Sequence, residues 1–171
     1  MRIVAGKFAG RHLAVPNDTR MRPTAENVRV ALLDMLAPYL PKARVCDLFA
    51  GTGALGLEAL SRGASRCDFV EFRPGSLHTL KANIALLKVG ERTRVFKKDA
   101  IPFAAALEPG AYDLVFADPP YESKVLDRLY EMWKKRPFSP VLALEHARTH
   151  KMPKGSESRA FVDTTVTVYV A

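Results

Sequence analysis

The feature that most constrains the fold is a regular alternation of strand-like and helix-like segments between residues 43 and 147. Short apolar runs alternate with longer segments in which apolar residues recur at helical spacing. This pattern predicts β-α units, whose strands form a parallel sheet with helices on both faces. The predicted strands are residues 43–49, 66–72, 93–98, 112–117 and 140–146, and the predicted helices are residues 54–62, 75–88, 100–107 and 122–135.

Both ends of the chain depart from this alternation. Residues 158–163 and 165–171 are β-rich and predict an antiparallel hairpin that closes a seven-stranded, mostly parallel sheet. Residues 1–16 predict a small hairpin or extended arm. A helix should then begin near Thr24, as its N-cap, and end at Pro41. We therefore predict an N-terminal extension, residues 1–41, and an α/β core domain, residues 42–171.

Positive charge is concentrated in this extension. The chain has a formal net charge of +8, and residues 1–30 contribute six basic side chains against two acidic ones. A solvated surface would explain such a segment, but its basic charge, with Gly and Pro in place of apolar periodicity, favours an arm that contacts phosphates of a nucleic acid. The candidate contacts with RNA are Arg2, Lys7, Arg11, Arg20, Arg22, Thr24 and Arg29.

Other features limit the class of protein. No apolar run approaches the length that spans a membrane, and we expect no signal peptide. The two cysteines, Cys46 and Cys67, lie in apolar runs and indicate buried, reduced thiols in a cytoplasmic protein. His146 and His150 lack a third ligand, so we expect exposed loop histidines and no metal site. We also expect a monomer.

A glycine-rich loop follows the first predicted strand and opens a helix. Residues 47–56 read DLFAGTGALG, and Glu71 ends the next strand. Glycines in such a loop let the backbone approach a ligand, and the carboxylate of Glu71 can accept hydrogen bonds from ribose hydroxyls. The predicted cofactor contacts are Asp47, Phe49, Ala50, Gly51, Thr52, Gly53, Glu71, Asp99, Ala100 and Asp118.

The same loop matches the GxGxxG pattern of dinucleotide-binding enzymes, through Gly51, Gly53 and Gly56. Asp47, however, would repel a pyrophosphate, and no second nucleotide-binding half follows. S-adenosylmethionine has no phosphate and carries an amino group and a sulfonium, so an acid favours it. Asp99 could accept from the adenine amine, although a helix N-cap is nearly as good an interpretation and the two are compatible.

The most specific signal is the sequence Asp118-Pro119-Pro120-Tyr121 at the end of a strand. The two prolines remove two N–H donors, which leaves the Asp118 carboxylate and the Pro119 carbonyl as acceptors. A planar NH2 group offers two donors to such a loop, and Tyr121 offers a ring on which a base can stack. We therefore predict that these four residues hold the exocyclic amine of a nucleobase for direct in-line methyl transfer. A proline-rich turn would explain the prolines, but not their place beside a cofactor site.

These motifs together resemble the class I methyltransferases that modify exocyclic amines. The resemblance is closest to the RsmD family, whose members methylate the N2 amine of one guanine in bacterial small-subunit ribosomal RNA. It is carried by RIVAGKFAGR at residues 2–11, by RPT at residues 22–24, by Val28-Arg29, and by DLFAGTGALGLEALSRGA at residues 47–64.

The resemblance implies a Rossmann-like sheet with a reversed C-terminal hairpin and S-adenosylmethionine as methyl donor. It implies ribosomal RNA in an assembled or assembling small subunit as the partner. It also implies that Arg22 and Thr24 lie near cofactor and substrate. Phe72-Arg73-Pro74 stands where an acidic residue is common in the family, so the ribose contact falls mainly to Glu71. An adenine-N6 methyltransferase remains the alternative, because adenine presents the same NH2 group to this loop.

Overall fold

A computed structural model describes residues 1–17, 24–120 and 124–171. Its strands are β1 (Arg44–Asp47), β2 (Arg66–Val70), β3 (Thr93–Phe96), β4 (Leu114–Ala117), β5 (Val141–Ala147), β6 (Glu157–Ala160) and β7 (Thr164–Val170). Its α-helices are α1 (Glu26–Met35), α2 (Ala54–Ser61), α3 (Pro74–Leu87), α4 (Ala100–Ala105) and α5 (Val125–Lys135), and short 3-10 turns cover Ala37–Tyr39 and Gly90–Arg92.

The strands form one seven-stranded sheet in the order β3-β2-β1-β4-β5-β7-β6. Strands β1 to β5 pair in parallel, and β7 runs antiparallel to both β5 and β6. The predicted Rossmann-like α/β fold with a C-terminal antiparallel hairpin is confirmed. The strand order reverses between β1 and β4, and in parallel sheets ligands bind at the carboxyl ends of the strands beside such a reversal.

Helices cover both faces of the sheet. Apolar side chains of α1, α2 and α3 pack with one face, and those of α4 and α5 pack with the other. The arm joins the first of these clusters, because Ile3 and Leu13 are buried in it. The boundary at residue 41 stays a prediction, since the extension and the core domain share one hydrophobic cluster.

The arm is held against α2 by hydrogen bonds that the sequence did not indicate. The buried carboxylate of Glu58 accepts from the backbone N–H groups of Val4 and Ala5 at 3.0–3.2 Å. Gly6 has φ +85°, and a Cβ there would lie 2.0 Å from the carbonyl oxygen of Ser61, so this close approach requires glycine. The predicted hairpin is reduced to one antiparallel bridge between Arg2 and His12.

Two local predictions were wrong. Helix α1 begins at Glu26, and its N-cap is Ala25 with no side-chain cap, because the Thr24 hydroxyl donates to another partner. His146 is not an exposed loop residue: it lies within β5, is buried, and contacts the Thr167 hydroxyl through Nε2 at 2.9 Å.

The structure also bears on the excluded classes. Within the described ranges, no helix is long and apolar enough to cross a membrane, and no three His, Cys, Asp or Glu side chains are grouped as metal ligands. Cys46 and Cys67 are buried free thiols, as predicted, and burial raises the pKa of both.

Candidate active site

A cavity of about 520 Å³ opens at the carboxyl ends of β1, β4 and β5. Four separated parts of the chain line it: the extension (Pro16, Thr24, Ala25, Asn27, Val28), the glycine loop with Arg73, the strand ends (Asp118–Pro120 and Glu145), and the turn between β6 and β7. The extension therefore forms one wall of the cavity. We call residues 47–53 together with Glu71 the glycine-loop side, and Thr24, Asp118–Pro120, Glu145 and Thr164 the acceptor side.

The glycine-loop side is held in place by its own hydrogen bonds. Asp47 ends β1, is 1 % exposed, and accepts from the N–H of Gly56 at 3.2 Å. Gly53 has φ +83°, and a Cβ there would lie 2.4 Å from Cδ1 of Leu80, so glycine is required for the turn into α2. The loop is therefore shaped before any ligand arrives.

Glu71 connects this loop to the next strand. Its Oε2 accepts from the N–H of Gly51 at 3.0 Å. Its Oε1 accepts from the N–H groups of Phe72 and Arg73 at 3.0 Å, and from Nε of Arg73 at 3.2 Å. The carboxylate thus lies behind the loop, and its contact with a ribose stays a prediction.

Acidic groups dominate the electrostatics of the cavity. Burial, together with the charges of Asp118 and Glu71, raises the pKa of Asp47 to about 7, although the N–H of Gly56 donates to this carboxylate and lowers its pKa. Arg73 is the one cationic side chain on the described wall, and it pairs with Glu71. A buried acid of this kind is stabilised by a bound cation. The residues therefore fit the amino and sulfonium groups of S-adenosylmethionine, and they do not fit the pyrophosphate of a dinucleotide.

The predicted cofactor contacts do not all lie on the wall of the cavity. Asp47, Phe49, Ala50, Gly51, Thr52 and Asp118 line the cavity, while Gly53 and Glu71 support it from behind. Asp99 is exposed and caps α4, accepting from the N–H of Ile101 at 3.4 Å, and Ala100 is buried as the first residue of that helix. Neither residue is on the described wall, so their contact with adenine stays a prediction.

The acceptor side is built around Asp118, which directly follows β4. The Thr24 hydroxyl donates to its Oδ2 at 2.5 Å. Pro119 is buried, Pro120 is exposed, and both line the cavity. Tyr121 lies outside the described residues. Burial raises the pKa of Asp118, and the hydrogen bonds with Thr24 and Glu145 lower it.

The sequence analysis missed Glu145 and Thr164 on the acceptor side, and it missed the main role of Thr24. Glu145 lies in β5, is 6 % exposed, and accepts from the Thr164 hydroxyl at 3.2 Å. Thr24 was predicted as a helix cap near the site, and its bond to Asp118 was not foreseen. A signal for Glu145 was present, because it is a lone acid at the carboxyl end of the apolar run VLALEH.

The candidate phosphate contacts are not equivalent. Lys7 and Arg11 are exposed on the arm, and Arg2 is exposed but pairs with Glu26 at 3.4 Å. Arg29 is 1 % exposed, and its Nη2 donates to the carbonyl of Arg2 at 2.5 Å. Burial thus makes Arg29 a support of the arm, and its predicted contact with RNA is wrong for this structure. Arg20 and Arg22 lie outside the described residues.

Comparisons with known proteins agree with this architecture. Residues 1–166 match the family described as Conserved hypothetical protein 95. The chain is 40% identical over 127 residues to "Ribosomal RNA small subunit methyltransferase D" of Escherichia coli K12, covering 74% of this chain and 63% of that protein. It is 33% identical over 153 residues to the protein of the same name from Haemophilus influenzae, covering 88% of this chain and 79% of that protein.

Solved structures agree in fold. A hypothetical protein of Thermus thermophilus superposes with a TM-score of 0.82 at 29% identity, covering 100% of this chain and 99% of that one. An RNA methyltransferase from Salinibacter ruber, solved with S-adenosyl-L-homocysteine, superposes with a TM-score of 0.69 at 16% identity, covering 87% of this chain and 93% of that one. The second likeness concerns the fold alone.

The sheet order, the glycine-loop side and the acidic cavity define a class I methyltransferase fold with S-adenosylmethionine as its cofactor. Within that class, the chain belongs to the Conserved hypothetical protein 95 family, the RsmD family of methyltransferases.

Proposed function

We propose that this chain transfers the methyl group of S-adenosylmethionine to the exocyclic N2 amine of a guanine in small-subunit ribosomal RNA. The observation that carries the proposal is the acceptor side. It offers the Asp118 carboxylate and the Pro119 carbonyl, and the two prolines remove the N–H donors, at one wall of the cavity that the glycine loop also lines. An NH2 group is the partner that such a surface accepts.

The role of each residue follows from the chemistry of the amine. Its lone pair is delocalised into the base, so it is a poor nucleophile. Two acceptors on its hydrogens, Asp118 and the Pro119 carbonyl, favour a tetrahedral nitrogen with an exposed lone pair. Thr24 orients the carboxylate through its hydroxyl. Bound S-adenosylmethionine supplies an electrophilic methyl group, and positioning does much of the remaining work.

The proposed partner is RNA in an assembled or assembling small subunit. Lys7 and Arg11 offer exposed positive charge on the arm, and the extension also forms a wall of the cavity. A phosphate backbone bound along the arm would bring a neighbouring nucleotide towards the acceptor side. A base that starts inside a stack must be rotated out to enter the cavity.

Guanine N2 is preferred to adenine N6 because the resemblance to the RsmD family implies that amine. Two relatives named ribosomal RNA small subunit methyltransferase D support a small-subunit RNA as the substrate. The acceptor side alone serves either amine. The deciding experiment incubates purified small subunits, and separately the free RNA, with labelled S-adenosylmethionine, then identifies the labelled nucleoside by mass spectrometry. We expect N2-methylguanosine. N6-methyladenosine would replace the proposal by the alternative.

A further inference from the structure

Two carboxyl groups meet at the ends of neighbouring strands on the acceptor side. In the parallel pairing of β4 with β5, Ala117 lies opposite Leu144. The next positions in this register are Asp118 and Glu145, and both line the cavity. The two carboxyl groups therefore lie side by side, and the hydrogen bond between them lowers the pKa of Asp118 and raises the pKa of Glu145.

The surroundings of this pair hold too few donors for two negative charges. Thr24 donates to Asp118, and the Thr164 hydroxyl has one proton to divide between Glu145 and the carbonyl of His146. Among the described residues, no N–H or hydroxyl group donates to the buried Oε2 atom of Glu145. A buried ionised carboxylate with an unpartnered oxygen is costly, and two adjacent carboxylates do not both ionise in such a site.

The charged groups around the pair add to this effect. Asp47 at the end of β1, Glu71 after β2 and Asp163 in the turn before β7 are all acidic. Across the described part of the chain, no Lys or Arg forms an ion pair with Asp118 or Glu145, and Arg73 is engaged by Glu71. Burial, and then the charge of Asp118, raise the pKa of Glu145 to about 8.

We propose that Glu145 is a positioning residue for the methyl transfer. It holds one proton and donates it in a hydrogen bond to the Asp118 carboxylate, so that the pair carries a single negative charge. Thr24 and Glu145 then fix the carboxylate of Asp118 from two sides, and its remaining lone pairs face the amine. This inference rests on the proposed function, because it assigns Glu145 to the same amine-methylating site.

The reaction balances with this pair as proton acceptor. The amine nitrogen forms a bond to the methyl carbon while the carbon–sulfur bond breaks, and sulfur keeps that electron pair as a neutral thioether. The nitrogen becomes cationic and releases one proton to Asp118. The pair then holds two protons and no net charge. It returns one proton to solvent before the next turnover.

Two measurements test the inference. The first is the pH profile of the methylation rate for the wild type and Glu145→Gln, whose amide still donates to Asp118 but cannot ionise. Above about pH 8 the wild-type pair loses its shared proton, and the rate should fall roughly tenfold per pH unit. In Glu145→Gln we expect this alkaline fall to disappear and the acidic side of the profile to remain. Glu157→Gln, at an exposed position of β6, is the matched control and should keep the wild-type profile.

The second measurement is infrared spectroscopy of the free protein across pH, which needs no substrate. The carbonyl stretch of a protonated carboxyl group should be present at neutral pH in the wild type and in Glu157→Gln. It should lose one carboxyl's intensity in Glu145→Gln. Asp47, whose pKa is near 7, contributes to the band in all three proteins and cancels in the comparison.

The outcomes separate the two proposals. Full band intensity in Glu145→Gln, or a retained alkaline fall, would overturn the role of Glu145. The carbonyl band of the protonated carboxyl group could be weaker in Glu145→Gln than in the wild type while the wild-type enzyme yields N6-methyladenosine. This result would support the proton-sharing pair and overturn the guanine target. The wild-type infrared titration alone tests the pair if Glu145→Gln does not fold.

Discussion

The two sides of the cavity are built in different ways. The glycine-loop side comes from one stretch of sequence and one residue of the next strand, and its carboxylates accept from backbone N–H groups of the loop and its flanks. The acceptor side combines residues 24, 118, 145 and 164, and no N–H or hydroxyl group of the described residues donates to a buried oxygen of Glu145. The carboxylates of the glycine-loop side already accept hydrogen bonds from the protein before a ligand binds. The carboxyl groups of the acceptor side can still accept hydrogen bonds from a ligand. From this difference we expect the glycine-loop side to act in cofactor binding and the acceptor side to act in the methyl transfer.

The largest effect should come from Asp118→Ala, which removes the main acceptor. We expect the methylation rate to fall about 10²- to 10³-fold, as when another preorganised hydrogen-bonding group is deleted from an active site. The affinity for S-adenosylhomocysteine, measured by calorimetry, should change little. Asp118→Asn keeps one acceptor oxygen and should lose less activity. A large loss of cofactor affinity in Asp118→Ala would contradict this prediction, because it would show that the acceptor side also holds the cofactor.

The opposite pattern should follow from Glu71→Gln on the glycine-loop side. The amide cannot accept all four hydrogen bonds that Glu71 now receives, and bonds to charged groups contribute about 1.5–3 kcal/mol each. We expect the Kd for S-adenosylhomocysteine to rise roughly 10- to 100-fold, since about 1.4 kcal/mol corresponds to a factor of ten.

At saturating cofactor, the rate in Glu71→Gln should stay within a few-fold of the wild type. Glu91→Gln changes an exposed carboxylate away from the cavity and serves as the matched control. A collapse of the saturated rate, with cofactor affinity unchanged, would show that Glu71 acts in the chemical step.

This contrast also explains what could be predicted from the sequence. We could predict the parallel sheet, its closing hairpin and the glycine-loop side, because periodicity and a contiguous motif are local properties of a chain. The acceptor loop was visible for the same reason. The contacts of Thr24 and Glu145 with Asp118 were not, because they depend on how the extension folds over the sheet and on the register between β4 and β5.

The burial of Arg29 and His146 could not be predicted from the sequence either. Arg29 is a cation in a basic segment, and its charge alone does not distinguish it from Lys7 or Arg11. Only the packed structure places its side chain under the arm, where it donates to the carbonyl of Arg2. His146 was misjudged for a similar reason, because β5 extends through Ala147 and pairs with β7 along its whole length.

The smallest effect should come from the exposed cations of the arm, Lys7 and Arg11, whose side chains line neither side of the cavity. Deleting the arm would remove Ile3 and Leu13 from the core, so substitution is the cleaner test. In the double variant Lys7→Gln and Arg11→Gln, we expect several-fold weaker binding to small subunits. The slope of log K against log salt should fall by about 2, since each lost phosphate contact contributes about one.

Cofactor affinity and melting temperature should remain at wild-type values in this variant. The same pair of substitutions at Lys134 and Lys135, at the end of α5, provides a control of equal charge. If both double variants weaken binding equally, the arm has no special role, and net charge alone attracts the RNA. If only the arm variant does so, the extension supplies the RNA contact as well as the Thr24 hydroxyl that orients Asp118, and the acceptor side is completed by the segment that brings its substrate.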